Sequence, residues 1–316
     1  MYRRRTPEAT IALVLTLVAY GCPIAAIEAA FGFQRRTIQR WVDAAGEHCE
    51  RIHEHLVLKP RDPEHVQADE LRVKTQGSIV WMALAVMVST RLWLAGAISP
   101  SRDKALIQRL VALIRACASP EHPLLVATDG LITYAKAFGK AFRSKQYTGR
   151  VGAPRLIAWP KVAIGQVIKR YERRRVVGVE RRVKRGSWSL LESLLDRTQG
   201  GGVLNTAYIE RLNATFRARL AALVRRGRGL ARRHRRLHAG MYLVGTVYNF
   251  CCYHGSSSST TSEPRRTPAM AAGITNHRWG VAEVLKHRVP PARWKPPRRR
   301  GRRSKVMQQL IDRWAA

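Results

Sequence analysis

The run Leu124-Leu125-Val126-Ala127-Thr128 is short, apolar and unbroken, and it ends abruptly at Asp129-Gly130. A strand with no polar face is buried on both sides, so it needs other elements to cover it. Its surroundings supply them. Val66 to Lys74 and Ile79 to Ile98 hold β-compatible runs broken at Gln76-Gly77-Ser78 and near Thr90-Arg91, which read as a meander of about three strands. Ser101 to Cys117 is helical through Leu106, Leu110, Leu113 and Ile114 after a serine that can cap it, and Leu131 to Arg143 reads as helix again. Three strands, a helix, a buried strand and a helix outline a mixed α/β sheet. In open sheets of this kind chemistry gathers beyond the carboxyl ends of the strands, where Asp129 sits.

Ahead of this region, Thr6 to about Ile52 reads as three helices broken at Gly21-Cys22-Pro23 and Gly32-Phe33, with Pro23 suited to a first helical position. In the third helix Ile38, Trp41 and Val42 share one face, while Gln34, Arg35, Arg36, Gln39 and Arg40 occupy the rest. Apolar anchors on one side with Arg and Gln on the other suit a recognition helix in a DNA major groove, where Arg reads guanine and Gln reads adenine. A helical bundle with a solvated basic face is the alternative. Lys59-Pro60-Arg61-Asp62-Pro63 marks a linker to the sheet region.

Composition favours the DNA-binding reading. The chain of 316 residues carries 57 Lys and Arg against 21 Asp and Glu, a net charge of +36, which calls for a polyanionic partner. Five cysteines without a C-x-x-C pair suggest neither a disulfide framework nor a zinc ribbon, and fit a reducing, cytoplasmic compartment. His48, Cys49, His53 and His55 lie on one short stretch with no second knuckle, so they read as surface and core residues. Arg3 to Arg5 followed by Ile11 to Tyr20 imitates a secretory leader, but Glu8, Glu28 and the basic chain beyond argue against export. Ile79 to Val88 stops well short of the ~20 residues of a membrane span. No membrane association is expected.

Beyond Arg143 the chain reads as irregular and basic to Gly186, with helix from Leu204 to Leu223 and again around Arg232 to Tyr248. Ser256 to Ser262 is a low-complexity linker, and Lys286 to Lys305 carries ten Lys and Arg, four prolines and no acid. Such a tail cannot bury a core and is suited to lying along phosphates. The expected organisation is a helix-turn-helix domain over 1–58, a catalytic domain over 64–250 with a basic insertion at 143–202, and a linker with basic tail over 251–316.

Acids are sparse in so basic a chain, and three stand at core elements: Asp69 on the first strand, Asp129 at the end of the buried strand and Glu210 in the helix. Three carboxylates repel one another unless a hard cation sits among them, and oxygen-only ligation selects Mg²⁺ or Mn²⁺ over zinc. Two such ions about 3.5–4 Å apart can clamp both oxygens of an in-line phosphoryl displacement. At roughly 100° per residue, Ile209, Leu212, Phe216, Leu220 and Leu223 form one apolar stripe, and Glu210, Asn213 and Arg217 fall together on a second face. The helix can then pack on the sheet while Glu210 reaches a metal and Arg217 the DNA backbone. Glu70, next to Asp69, and Glu192 are the rival ligands. Trp159, Trp188 and Tyr208 read as core or as stacking surfaces for unpaired bases, and Arg173 to Arg175 and Arg225 to Arg236 as phosphate contacts.

Helix-turn-helix, Asp, Asp and Glu in that order, with Thr-Asp-Gly at the second acid and Tyr-Ile-Glu-Arg-Leu-Asn at the third, resembles the DDE transposases of bacterial insertion sequences. Arg217, seven residues after Glu210, matches the basic residue common in that family's third motif. The resemblance implies a ribonuclease H-like catalytic domain, similar to that of retroviral integrases, in which Asp69, Asp129 and Glu210 bind two Mg²⁺ ions. It implies double-stranded DNA as partner, both the element's terminal inverted repeats and the target, with the N-terminal domain reading the repeats. It further implies hydrolysis of a phosphodiester to expose a 3′-hydroxyl that attacks target DNA. Two ends require at least two active sites, hence a homo-oligomer on DNA at the bacterial nucleoid. A nuclease of the same fold and a non-catalytic DNA-binding regulator are the competing readings.

Overall fold

A computed structural model describes residues 6–75, 78–147, 149, 152–173, 175–223, 234–254, 265–291, 301 and 303–314. Three helices lead, α1 (Glu8–Ala19), α2 (Ile24–Phe31) and α3 (Arg35–Ile52), the last running into a π-helical turn at His53–Val57. Pro23 stands one residue before α2, and Gly32 closes it in the left-handed region at φ 69°, which a glycine adopts without a Cβ clash.

The sheet region follows as β1 (His65–Thr75), β2 (Ser78–Met87), β3 (Trp93–Ser99), α4 (Lys104–Cys117), β4 (Leu124–Asp129) and α5 (Ile132–Ala141). This is the expected meander, helix, buried strand and helix. Asp103 rather than a serine caps α4, accepting from the Leu106 amide at 2.8 Å, because the helix begins at Lys104 and its cap falls two residues beyond Ser101.

The stretch expected to be irregular holds four strands among its described residues, β5 (Arg143–Gln146), β6 (Arg155–Ala158), β7 (Val162–Glu172) and β8 (Arg175–Arg185), and α6 (Trp188–Gln199) follows it. Val162 to Val167 is a fully buried run like that of β4, apolar apart from Gln166. Basic residues crowd the exposed remainder of β7 and β8 and hide the strand pattern. A mixed sheet of six strands results, in the order β3-β2-β1-β4-β7-β8, with β1, β4 and β7 parallel and the other pairs antiparallel.

Helices cover both faces of this α/β sheet. Leu125, Ala127 and Val167 pack with Leu191, Leu194 and Leu195 of α6 on one face, the face also covered by α7 (Ala207–Arg219). On the other face Tyr134 of α5 is fully buried against Glu70 of β1. The helix α7 ends at Leu220, which turns extended, so the expected apolar stripe is cut there, leaving Ile209, Leu212 and Phe216 buried.

Next comes α8 (His234–Cys251), buried along most of its length. Asn249 accepts from the Trp93 amide and donates to the Trp93 carbonyl, both at 2.9 Å, standing in for a further strand on edge strand β3. Helix α3 lies so close to α8 that a Cβ on Gly46 would meet the Ala239 backbone at 2.4 Å. The apolar stripe of α3 therefore buries against α8 instead of closing a separate core. The N-terminal helices belong to one compact unit, Met1–Lys286, and are not set apart as a domain over 1–58.

That unit also takes in α9 (Pro268–Ala271) and α10 (Val281–Lys286), with Trp279 buried on Phe250 at 4.6 Å between ring centroids. Residues 265–286 are thus part of the body, whereas the serine-rich linker lies outside the described residues. The second unit, His287–Ala316, contains α11 (Lys305–Trp314), a helix where a featureless tail was expected. Among the described residues no helix is long and apolar enough to cross a membrane.

Candidate active site

Parallel register pairs Ala68 of β1 with Thr128 of β4, so Asp69 and Asp129 follow side by side where β4 stops. The turn after β4 is fixed by local bonds. Asp129 Oδ1 accepts from the Leu131 amide at 3.0 Å, and Gln166 Nε2 donates to the carbonyls of Asp129 and Leu131 at 3.1 and 3.2 Å.

Glu210 arrives from the other side of the opening, in the first turn of α7. Gln67 places that helix. Two residues before Asp69 and on the same face of β1, its buried side chain accepts from the Tyr208 and Ile209 amides at 3.0 and 3.1 Å and donates to the Asn205 carbonyl at 2.9 Å. A strand side chain thereby satisfies the open amides of a helix start. One turn further along, Asn213 Nδ2 donates to Asp69 Oδ2 at 2.8 Å.

These elements enclose a cleft of about 770 Å³ lined by Asp69, Asp129 and Glu210 together with Arg102, Lys169 and Arg217. Among the described residues, Asp69, Glu70 and Asp129 are the one group of three or more His, Cys, Asp or Glu side chains close enough to share an ion, with carboxylate oxygens within 4.8 Å of one another. Glu210 stands outside that group. Its Oε1 accepts from Thr206 at 2.7 Å and from Lys169, and although burial opposes it, these bonds hold its carboxyl below the usual range.

Glu70 has its side chain turned to the opposite face of the sheet, ion-paired with Arg102 and accepting from the Tyr134 hydroxyl at 2.9 Å. Burial, above all, and the Glu70 carboxylate keep that phenol protonated. Arg102 also approaches Asp129 at 3.7 Å, so one guanidinium holds both carboxylates. Among the described residues, Asp69 has no such partner. Burial pushes its carboxyl up to about 7, with Glu70, Asp129 and Glu210 adding to the effect.

An oxygen-only donor set with unbalanced negative charge fits a hard divalent cation. Asp69 and Asp129, both half-buried at the cleft, would hold it, while Glu70 is committed to Arg102 and Tyr134. Lys169, bound to Oε1 of Glu210, would compete with a cation for that carboxylate. Glu192, the other rival, lies on the exposed side of α6 and does not line the cleft.

The remaining expected contacts divide. Gln34, Arg35, Arg36 and Arg40 are exposed around the start of α3, with Arg35 also paired to Glu28 at 3.2 Å. Gln39 is half-buried and donates to Asp43 at 3.1 Å. Asn213, grouped by helical angle with the DNA-facing residues, is buried and spent on Asp69, because α7 lies closer to β1 than the angle alone shows. Arg217 lines the cleft. Trp159 is core, donating Nε1 to Ser144 at 2.7 Å, whereas Trp188 is exposed and Tyr208 lies half-buried with the Arg91 guanidinium 3.8 Å over its ring. Cys49 and His53 are buried, and His53 bonds the Leu94 carbonyl at 3.1 Å. Arg174 and most of Arg225 to Arg236 lie outside the described residues.

Sequence reasoning did not find Gln67, Arg102, Tyr134, Gln166 or Lys169. Gln67 alone left a signal, since a strand of period two puts it on the same face as Asp69. Comparison of the sequence with protein-family models finds no match, and comparison with curated proteins finds none at a significant level.

Proposed function

We propose that this chain is a DNA transposase of the DDE class, with a ribonuclease H-like catalytic body and a helix-turn-helix formed by α2 and α3. The observation that carries the reading is the register of β1 and β4, which sets Asp69 beside Asp129 across one cleft from Glu210 in a chain of net charge +36. Carboxylates gathered at the open end of parallel strands, inside a protein otherwise dominated by cations, suit a polyanion brought to a metal.

Asp69, Asp129 and Glu210 would hold Mg²⁺, or Mn²⁺ in its place, which supplies charge stabilisation for in-line phosphoryl displacement. Lys169, Arg217 and Arg102 present positive charge around the same cleft and would position the phosphodiester over the acids. The reaction is hydrolysis at an element end to expose a 3′-hydroxyl, followed by attack of that hydroxyl on target DNA. Exposed Arg36 and Arg40 at the start of α3 would read the terminal inverted repeats. Paired ends require two active sites, hence an oligomer on double-stranded DNA.

The test is strand transfer in Mg²⁺ on labelled ends taken from the gene's own flanks, with the parent chain and Glu210→Gln. Joined products from the parent alone support the reading. Cleavage without joining makes the protein a nuclease, and specific binding with neither activity makes it a regulator.

A further inference from the structure

Past the end of β4, the strands β7 and β8 continue together as a two-stranded ribbon. Asp129 pairs with Val167, so Lys169 to Glu172 run beyond the last residue of β4 with β8 as their ladder partner. Val167, Lys169 and Tyr171 share one face by strand period. Val167 packs against α6, Lys169 reaches Glu210, and Tyr171 lines the same cleft as Asp69 and Asp129.

Tyr171 is nevertheless 62% exposed. Its ladder partner Val176 is 50% exposed, and Val179, opposite Lys169, is 42% exposed. One aromatic ring and two aliphatic side chains make an apolar strip open to solvent at the mouth of the cleft. The other face of the ribbon carries a charged group, with Glu180 held between Arg170 at 3.5 Å and Arg182.

Charge selects what can cover the strip. Residues 169–185 carry nine Lys or Arg and two acids, so a second copy of this chain meets like charge there. A ligand with both flat apolar faces and dense negative charge is nucleic acid. In a duplex those faces are covered by stacking on neighbouring pairs, and an unpaired, unstacked base exposes them.

Resting on the DNA-binding part of the proposed function, we infer that the cleft-side face of the β7–β8 ribbon is a stacking platform for an unpaired DNA base, with Tyr171 as its ring and Lys169, Arg173 and Arg175 beside it for the phosphates. The platform stands next to the acids, so a frayed end laid on it has its phosphodiester at the cleft.

The experiment measures binding of the full chain, in chelator, to a short blunt duplex and to the same duplex with an unpaired thymine overhang. The parent binds the overhang duplex more tightly. Tyr171→Ala lowers that affinity about tenfold and leaves the blunt duplex unchanged, while Tyr171→Trp retains the preference. Equal weakening of both duplexes, no weakening of either, or dissociation of an oligomer by Tyr171→Ala overturns the platform. Because the assay contains no metal and no element ends, absence of an overhang preference in the parent with strand transfer intact sinks the platform alone. An intact preference without strand transfer sinks the transposase reading alone.

Discussion

Asn213 on α7 donates its side-chain amide to the Asp69 carboxylate at 2.8 Å, which fastens the helix carrying Glu210 to the strand carrying the first aspartate. Replacing Asn213 by Ala removes this bond and costs about 1–2 kcal/mol of stability. Asn213→Asp keeps the shape but sets carboxylate against carboxylate, so it loses more, and regains stability as the pH is lowered. Urea denaturation at about pH 5 and about pH 8 separates the two variants. Equal stability of both at the higher pH contradicts the contact.

Asp69 and Glu70 are neighbours in sequence with opposite surroundings, and their variants diverge accordingly. Glu70→Gln breaks the pair with Arg102 and weakens the bond from Tyr134, lowering stability by about 1–3 kcal/mol after allowance for the exposure of Arg102. Asp69→Asn relieves repulsion, so stability is kept while Mg²⁺-dependent cleavage is lost. Thermal melts beside cleavage assays read both outcomes.

The raised Asp69 carboxyl makes a signed prediction about pH. Between its ordinary 3.8 and about 7, the folded chain holds a proton that the unfolded chain has released. The resulting stabilisation is full below the lower value and fades as pH climbs through the upper one. In chelator, the parent therefore loses stability relative to Asp69→Asn between about pH 4 and about pH 8, and saturating Mg²⁺ offsets the loss. A difference that stays flat across this range refutes the assignment.

Lys169 competes for Glu210 with any cation in the cleft. Lys169→Met is expected to raise Mn²⁺ affinity in the absence of DNA several-fold, and adding Glu210→Gln should cancel the gain. Titration calorimetry on the single and double variants measures this coupling. Independent effects of the two substitutions would show that Glu210 takes no part in holding the ion.

At the start of α3, Arg36→Ala and Arg40→Ala should each lower affinity for the element's ends by about 1–3 kcal/mol while leaving binding to unrelated duplex nearly unchanged. Equal losses on both DNAs would reassign these arginines to backbone contacts.

Much of the fold was legible because it rests on local patterns. The apolar run of β4, the three leading helices with their Gly32 stop, and the helical spacing in α4 and α7 each reflect what a short segment must bury. The ribbon β7–β8 was not legible, since half of β7 and most of β8 project into solvent and carry Arg and Lys where alternation would be sought. The N-terminal helices looked separable because α3 has an amphipathic stripe, yet a stripe does not say what covers it, and α8 lies nearly 200 residues away.

For the site, sequence by itself singled out Asp69, Asp129 and Glu210, because acids at core elements of a chain with net charge +36 are conspicuous. Tertiary structure decided how they meet. Parallel register placed the aspartates side by side, Gln67 set the start of α7, Asn213, expected to face DNA, was turned onto Asp69, and Arg102 and Lys169 took up Glu70 and Glu210. Sequence order carries residue type and local period, whereas the partner of a buried charge is chosen by whichever strand or helix packing brings within hydrogen-bond reach.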